Sequence, residues 1–126
     1  MLFLLLIQTS AHADWQKLMA IENTTVYVDM SKGQSTNDIV TVSELRDCGE
    51  QREFMGSMYG FSFRSSQFLT EYKCSTREQR YLQSLWFADQ MGSGKISFKK
   101  LHPQDWATVD DDVVNKAMFD YFCPMK

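Results

Sequence analysis

The chain has 126 residues, 44% of them hydrophobic, with 13 Lys and Arg against 16 Asp and Glu for a formal net charge of −3. That length supplies one domain with a single hydrophobic core. The slight acidic excess argues against a nucleic-acid binder, whose affinity comes from neutralising phosphates, but leaves room for a local basic patch.

Residues 1–13 read as a secretory leader. Leu2 to Ile7 is an unbroken apolar run, and Ala11-His12-Ala13 places small residues where signal peptidase accepts them. The mature chain then begins at Asp14 and forms a single domain over 14–126. The leader lacks the usual basic opening, since the first basic residue is Lys17, and no Cys follows the cleavage point to carry a lipid anchor. The apolar run is too short to span a bilayer, which takes about 20 residues, and no later run approaches that length.

From Trp15 to Lys100 the hydrophobic period is near two, the pattern of strands with one buried face. Val26, Val28 and Met30 share one side of the first clear strand, with Tyr27 and Asp29 on the other. A turn at Lys32-Gly33-Gln34 leads to a strand over Ile39 to Leu45, rich in Val, Ile and Thr. The polar, glycine-bearing stretch from Asp47 to Gly60 reads as a long exposed loop. Phe68, Thr70, Tyr72 and Cys74 then alternate with Leu69, Glu71 and Lys73. In the next strand, Tyr81 to Asp89, Leu82, Ser84, Trp86 and Ala88 oppose Tyr81, Gln83, Leu85 and Phe87. Both faces are partly apolar, which suggests a central strand covered on two sides. Met91 to Lys95 is a hairpin turn, and Ile96 to Lys100 the returning strand.

After Pro103 the period changes. Asp110, Asp111 and Asp112 put carboxylates at the positive end of a helix dipole. Val114, Ala117, Met118, Tyr121 and Phe122 recur at helical spacing, so a helix from about Asp111 to Phe122 lays an apolar face on the sheet and ends at Pro124. The expected fold is α+β, an antiparallel meander packed by a C-terminal helix.

An exported chain folds where thiols oxidise, so Cys48, Cys74 and Cys123 should give one disulfide and one leftover thiol. Chain entropy, about 4 kcal/mol for a Cys74 to Cys123 loop and slightly less for Cys48 to Cys74, does not choose among the pairings. Placement favours Cys74 with Cys123, at the ends of a strand and of a helix that pack together. Cys48 is then free or available to a second chain.

No catalytic constellation stands out. His12 leaves with the leader, and His102 lies in a connecting loop beside Pro103. A zinc site would need three or four Cys or His ligands, and oxidation consumes two of the thiols. No cofactor or metal site is expected. Gly92-Ser93-Gly94-Lys95 lacks the spacing and the Ser or Thr of a phosphate-binding loop and reads as a turn. Among Glu44, Asp47, Glu50, Glu53, Glu71, Asp89 and Asp105 nothing singles out a pair for glycoside chemistry, and they read as solvated surface. Met55 and Met58 could offer sulfur to monovalent copper, but an apolar loop is the better reading. Asn23-Thr24-Thr25 fits a glycosylation acceptor, which a bacterial source would make irrelevant. The informative cluster is Lys73, Arg77, Arg80, Lys95, Lys99 and Lys100, which neighbouring strands would gather at one sheet edge. Such a patch could hold an acidic protein segment, a sulfated glycan or lipid headgroups, or could simply guard an edge strand.

The order of features resembles the bacterial surface-adhesin protein E family of small exported proteins. The matching residues are Asp14-Trp15, Val26-Tyr27-Val28-Asp29, Arg64-Ser65-Ser66, Glu71-Tyr72-Lys73-Cys74, Arg77-Glu78-Gln79-Arg80, the Gly92-Ser93-Gly94 turn, Trp106 and a helix closing at Cys123. The resemblance implies a sheet packed by a C-terminal helix, a disulfide joining Cys74 and Cys123, and binding of host matrix or plasma proteins such as vitronectin and laminin. The family's adhesive member is lipid-anchored, whereas this chain lacks the Cys for such an anchor, and Cys48 is a second departure.

The sequence therefore reads as an exported, periplasmic or secreted, non-enzymatic binding module. Its recognition surface is a sheet edge with the Arg77 to Arg80 segment, aided by Tyr81 and Trp86, and a homodimer through the sheet edge or Cys48 is conceivable. The alternative is a soluble periplasmic inhibitor or stress-response protein that inserts the Asp47 to Gly60 loop into a hydrolase such as lysozyme. A small hydrolase would require two carboxylates facing each other in a deep cleft.

Overall fold

The computed structural model describes residues 14–29, 34–54 and 60–123. The leader, the turn at Lys32 and Gly33, the Met55 and Met58 pair and Pro124 lie outside the described residues. The elements are β1 (Gln16–Ile21), β2 (Thr24–Val28), β3 (Gln34–Thr36), β4 (Ile39–Phe54), β5 (Phe61–Lys73), β6 (Glu78–Phe87), β7 (Ile96–Lys100), β8 (Ala107–Thr108) and the helix α1 (Val113–Phe122). They build one antiparallel sheet in the order β1-β2-β4-β5-β6-β7, with β3 beside β4 and β8 beside β6. The expected α+β architecture is what forms.

Helix α1 covers part of one face of the sheet, the inner face. Val26, Val28, Val42 and Tyr72 rise from the strands to meet Val114, Met118 and Phe119 of the helix, and Val109 fills the gap beside them. The Asp112 side chain caps the helix by accepting from the Asn115 amide, which satisfies one of the otherwise unpaired donors of the first turn. A short 3-10 turn over Val109–Asp111 precedes the helix, so the acidic run lies just ahead of α1 instead of within it. Tyr121, assigned above to the apolar face, is 55% exposed. Its place is taken by Phe119, which is buried and lies four residues after Asn115 and three before Phe122. The Cys74–Cys123 disulfide ties the end of α1 to the end of β5 across a separation of 49 residues. By chain entropy that loop is worth about 4 kcal/mol.

The stretch from Asp47 to Phe54 is strand, not loop. Strand β4 runs on through it, paired with β5 as far as Phe54↔Phe61. The polar composition has a physical cause: this part of β4 projects past the helix, and a register shift between Asp47 and Arg52 lets Gly49, Glu50 and Gln51 face solvent. Residues 55–59 of the expected loop lie outside the described residues, and the part from Asp47 to Phe54 is strand, so the inhibitor reading loses much of the segment it relied on.

A second irregularity changes a face. Between Leu69 and Thr70 the pairing slips so that Gln83 opposes Leu69 and Tyr81 opposes Thr70, leaving Leu82 as the extra residue. Tyr81 therefore shares the inner face with Ser84 and Trp86, whereas strict alternation put it on the opposite side. Its ring stacks on Phe68 at 4.5 Å. On the outer face Leu45 and Phe87 are covered by a tight turn at Gln90–Gly92. Ser65 fastens this turn, donating to the Asp89 carbonyl at 2.6 Å and accepting from the Gly92 amide at 2.8 Å. Gly94 has φ +79, and a Cβ there would collide with the Asp89 carboxylate, so this turn position requires glycine.

The core also holds a charged pair. Glu44, read from sequence as solvated surface, is 0% exposed. It accepts two hydrogen bonds from Arg46 at 3.0 and 3.1 Å and one from the Tyr72 hydroxyl at 2.6 Å. Arg46 in turn donates to Asn115 Oδ1 of α1 at 2.6 Å and packs over the Phe68 ring at 4.8 Å. Burial pulls the guanidinium pKa down, but the surrounding Tyr81, Glu44 and Tyr72 more than offset this and raise it.

Two predictions follow from this buried network. Arg46→Met leaves a carboxylate buried without its counter-charge and is expected to cost about 3–5 kcal/mol in urea unfolding, whereas Glu44→Leu combined with Arg46→Met leaves no charge and loses less. Burial, reinforced by the Glu44 charge, also holds the Tyr72 phenol well above its ordinary pKa, and burial raises Tyr81 as well. The folded state thus keeps protons that the unfolded chain releases above pH of about 10, so stability is intact below that pH and falls as pH rises beyond it. Phenolate absorbance from these two residues should appear together with the loss of circular dichroism.

Candidate functional site

Helix α1 leaves the far half of the inner face uncovered, and that half is paved with rings. Phe54, Phe61 and Phe63 come from the extension of β4 and β5, Trp86 from β6 and Phe98 from β7; all five are half-buried. Phe61 stacks on Phe98 at 4.9 Å, and Trp86 meets Phe68 edge to face at 5.7 Å. Where this pavement meets the N-terminus of α1 lies an open trough of about 420 Å³. Phe54, Phe63, Phe68 and Trp86 line its floor, and Arg46, Arg52 and Lys100 also border it. The Arg52 guanidinium donates to the carbonyls of Glu22 and Asn23 at 3.2 and 3.4 Å, which closes the β1–β2 turn. Glu22 and Asn23 both have positive φ, the turn geometry that matches strand twist in a hairpin.

The sequence signal for the trough was Phe61 and Phe63 at a two-residue spacing, followed by Trp86 and Phe98. Its strength lies in the register that aligns these rings on one face, and the register depends on bulges that periodicity does not reveal.

The six candidate cations fall into two groups. Lys73 and Arg80 pack on the Trp106 ring, each 4.5 Å from its centroid, and Arg80 pairs with Glu71 at 2.8 Å. Arg77 pairs with Asp110 at 2.8 Å and approaches Asp120 at 3.9 Å, over the Phe119 ring. The hydrogen bond that Arg77 donates to Asp110 raises the Arg77 pKa, and the same bond lowers that of the Asp110 carboxyl. These three cations thus hold the β5–β6 turn and the residues after β7 against the helix end. Lys95, Lys99 and Lys100 lie on or beside β7, an edge strand, and among the described residues none makes an ion pair. Exposed Ile96 and Leu101 flank them.

Cys48 is free and buried, 2% exposed, on the inner face of β4 opposite Thr24. Its position within a strand, not a loop, turns it away from a second chain. His102 is exposed in the connection after β7. Of the carboxylates, Asp47 accepts from the Met91 amide at 2.7 Å and Glu71 serves Arg80. Among the described residues no three His, Cys, Asp or Glu side chains group as a metal site, and no helix is long and apolar enough to cross a membrane.

A single antiparallel sheet with a disulfide-tethered terminal helix and an aromatic half-face defines a small α+β domain. The chain belongs to the surface-adhesin protein E family, whose model matches residues 15–124. The fold is similar to that of Haemophilus influenzae protein E. Crystal form II gives a TM-score of 0.59 at 14% identity, covering 94% of each chain. The selenomethionine form gives 0.59 at 13%, covering 94% of this chain and 92% of that one. Protein E from a non-typeable strain gives 0.57 at 14%, covering 94% and 81%. No curated protein sequence matches.

The geometry of Cys48 yields a chemical test. Burial is the main cause that raises its thiol pKa, so the native chain should not react with a thiol reagent, and the unfolded, unreduced chain should release one thiol. A titre of three would disprove the disulfide.

Proposed function

We propose that this chain is an exported, non-enzymatic binding module that takes an extended, acidic segment of a protein partner along the β7 edge, the partner being a host matrix or envelope protein. The observation that carries this reading is the trio Lys95, Lys99 and Lys100 on or beside an edge strand, none of them in an ion pair among the described residues, next to exposed Ile96 and Leu101. An edge strand offers a row of backbone donors and acceptors that an incoming segment can complete, and side chains on alternate positions select it. Charge of one sign along that row speeds encounter and rejects basic segments. Family membership supports the adhesin-like role, and the apolar run at residues 2–7 supports export.

In this reading Lys73, Arg77 and Arg80 shape the scaffold, since their charges are already met by Trp106, Asp110 and Glu71. Lys95→Glu with Lys99→Glu should weaken binding to immobilised vitronectin by about tenfold or more, the equivalent of about 1.4 kcal/mol, with unchanged thermal unfolding. Arg77→Glu with Arg80→Glu should instead lower the unfolding temperature. Undiminished binding by the β7 variant would refute the edge as the recognition surface.

A further inference from the structure

Strand β7 belongs both to the aromatic half-face and to the free edge, and its register shows what a strand added beside it would meet. Ser97 is the surplus residue of a bulge, because Trp86 pairs with Phe98 and Phe87 with Ile96. A bulge interrupts regular pairing. The part of the edge that an incoming strand can read in plain alternation is therefore Phe98, Lys99 and Lys100.

Each of these three ends a row of side chains that crosses the sheet. On the inner face Arg46, Ser66 and Trp86 lead to Phe98, and Glu44, Phe68 and Ser84 lead to Lys100. On the outer face Leu45, Gln67 and Leu85 lead to Lys99. A strand added beside β7 puts one residue at the end of each row, its Cβ about 5 Å from its neighbour. The residue beside Phe98 joins a group of rings, since Phe98 stacks on Phe61 at 4.9 Å and meets Trp86 at 5.7 Å. The residues beside Lys99 and Lys100 meet ammonium groups that are exposed and make no ion pair among the described residues. Asp105 borders the same hollow as both lysines but is paired with neither. Ring pairs and opposite charges are the favourable contacts across neighbouring strands.

Direction then fixes the order. Every strand pair among the described residues is antiparallel, and antiparallel pairing is slightly the more stable per residue. A segment that keeps this rule meets Lys100 first, Lys99 second and Phe98 third along its own chain.

From this register we infer that the β7 edge selects an extended segment with two consecutive acidic residues followed directly by an aromatic one. The first acid and the ring lie on the inner face, and the second acid on the outer. The inference rests on the edge reading above and adds to it an order, a direction and a face for each partner residue.

Three capped peptides of one composition test it, each with two threonines on either side of a central triplet. The triplets are Asp-Glu-Phe, Phe-Glu-Asp and Asp-Phe-Glu. In titrations of the full chain followed by amide NMR, the first is expected to bind about fivefold tighter than the other two and to shift the amides of Phe98, Lys99 and Lys100. Replacing its phenylalanine by threonine should weaken it by about threefold. Lys99→Glu, an exposed substitution, should reverse one preference: the variant takes Asp-Lys-Phe over Asp-Glu-Phe, whereas the native chain ranks them the other way. Equal affinity for the three orders, with binding still lost in Lys95→Glu with Lys99→Glu, overturns the inference and leaves the edge reading standing. Tighter binding of either other order, or a ranking that Lys99→Glu does not switch, also overturns it. If no peptide perturbs β7, the edge reading falls together with the inference.

Discussion

The Glu44 and Arg46 pair, buried between sheet and helix, is the interaction on which the rest of this structure leans. One edge of the Arg46 guanidinium holds Glu44, another reaches Asn115 on α1, and its flat face rests on Phe68. A single side chain thus fixes the height of the helix above β4 and, through Phe68, the first ring of the aromatic floor. Two buried charges are expensive to desolvate, and the pair is tolerable because Arg46 is hydrogen-bonded to both Glu44 and Asn115. Tyr72 supplies one further hydrogen bond to Glu44. Such a network specifies a single docking position for the helix, where an apolar contact would allow sliding.

The second constraint is one of length. A helix of 10 residues extends about 15 Å, whereas a strand of 16 residues such as β4 extends about 54 Å. The helix cannot cover the sheet, and the disulfide at its end fixes which part it covers. The uncovered part must either be polar or be apolar for a reason. Here it carries five half-buried rings, more apolar surface than solubility favours, and this is the usual mark of a surface meant to meet something.

Much of the architecture was legible in the sequence. The helix announced itself by Val114 and Met118 at helical spacing, and the disulfide by two cysteines ending elements that had to pack. What escaped detection shares a cause: residues whose local character conflicts with their surroundings. Glu44 and Arg46 stand two apart, in phase with Val42, and the phase was a sign of burial that their charge concealed. The polar run after Asp47 resembled a loop because a strand that projects beyond its core has little reason to alternate. The cationic cluster was expected at one edge of the sheet, along β5, β6 and β7. Its division into matched and unmatched charges depended on Trp106, Asp110 and Glu71, which come from separate parts of the chain.

The bulge in β6 carries an implication for chain length. Leu82 is the surplus residue of its ladder: take it out, and Gln79, Tyr81, Ser84 and Trp86 still point inward in regular alternation. Take out Gln83 instead, and Leu82 fills its place with the same result. Strand β6 can therefore shorten by one residue at its bulge without inverting its own surface, so length and facing, which are normally coupled in a sheet, are independent there.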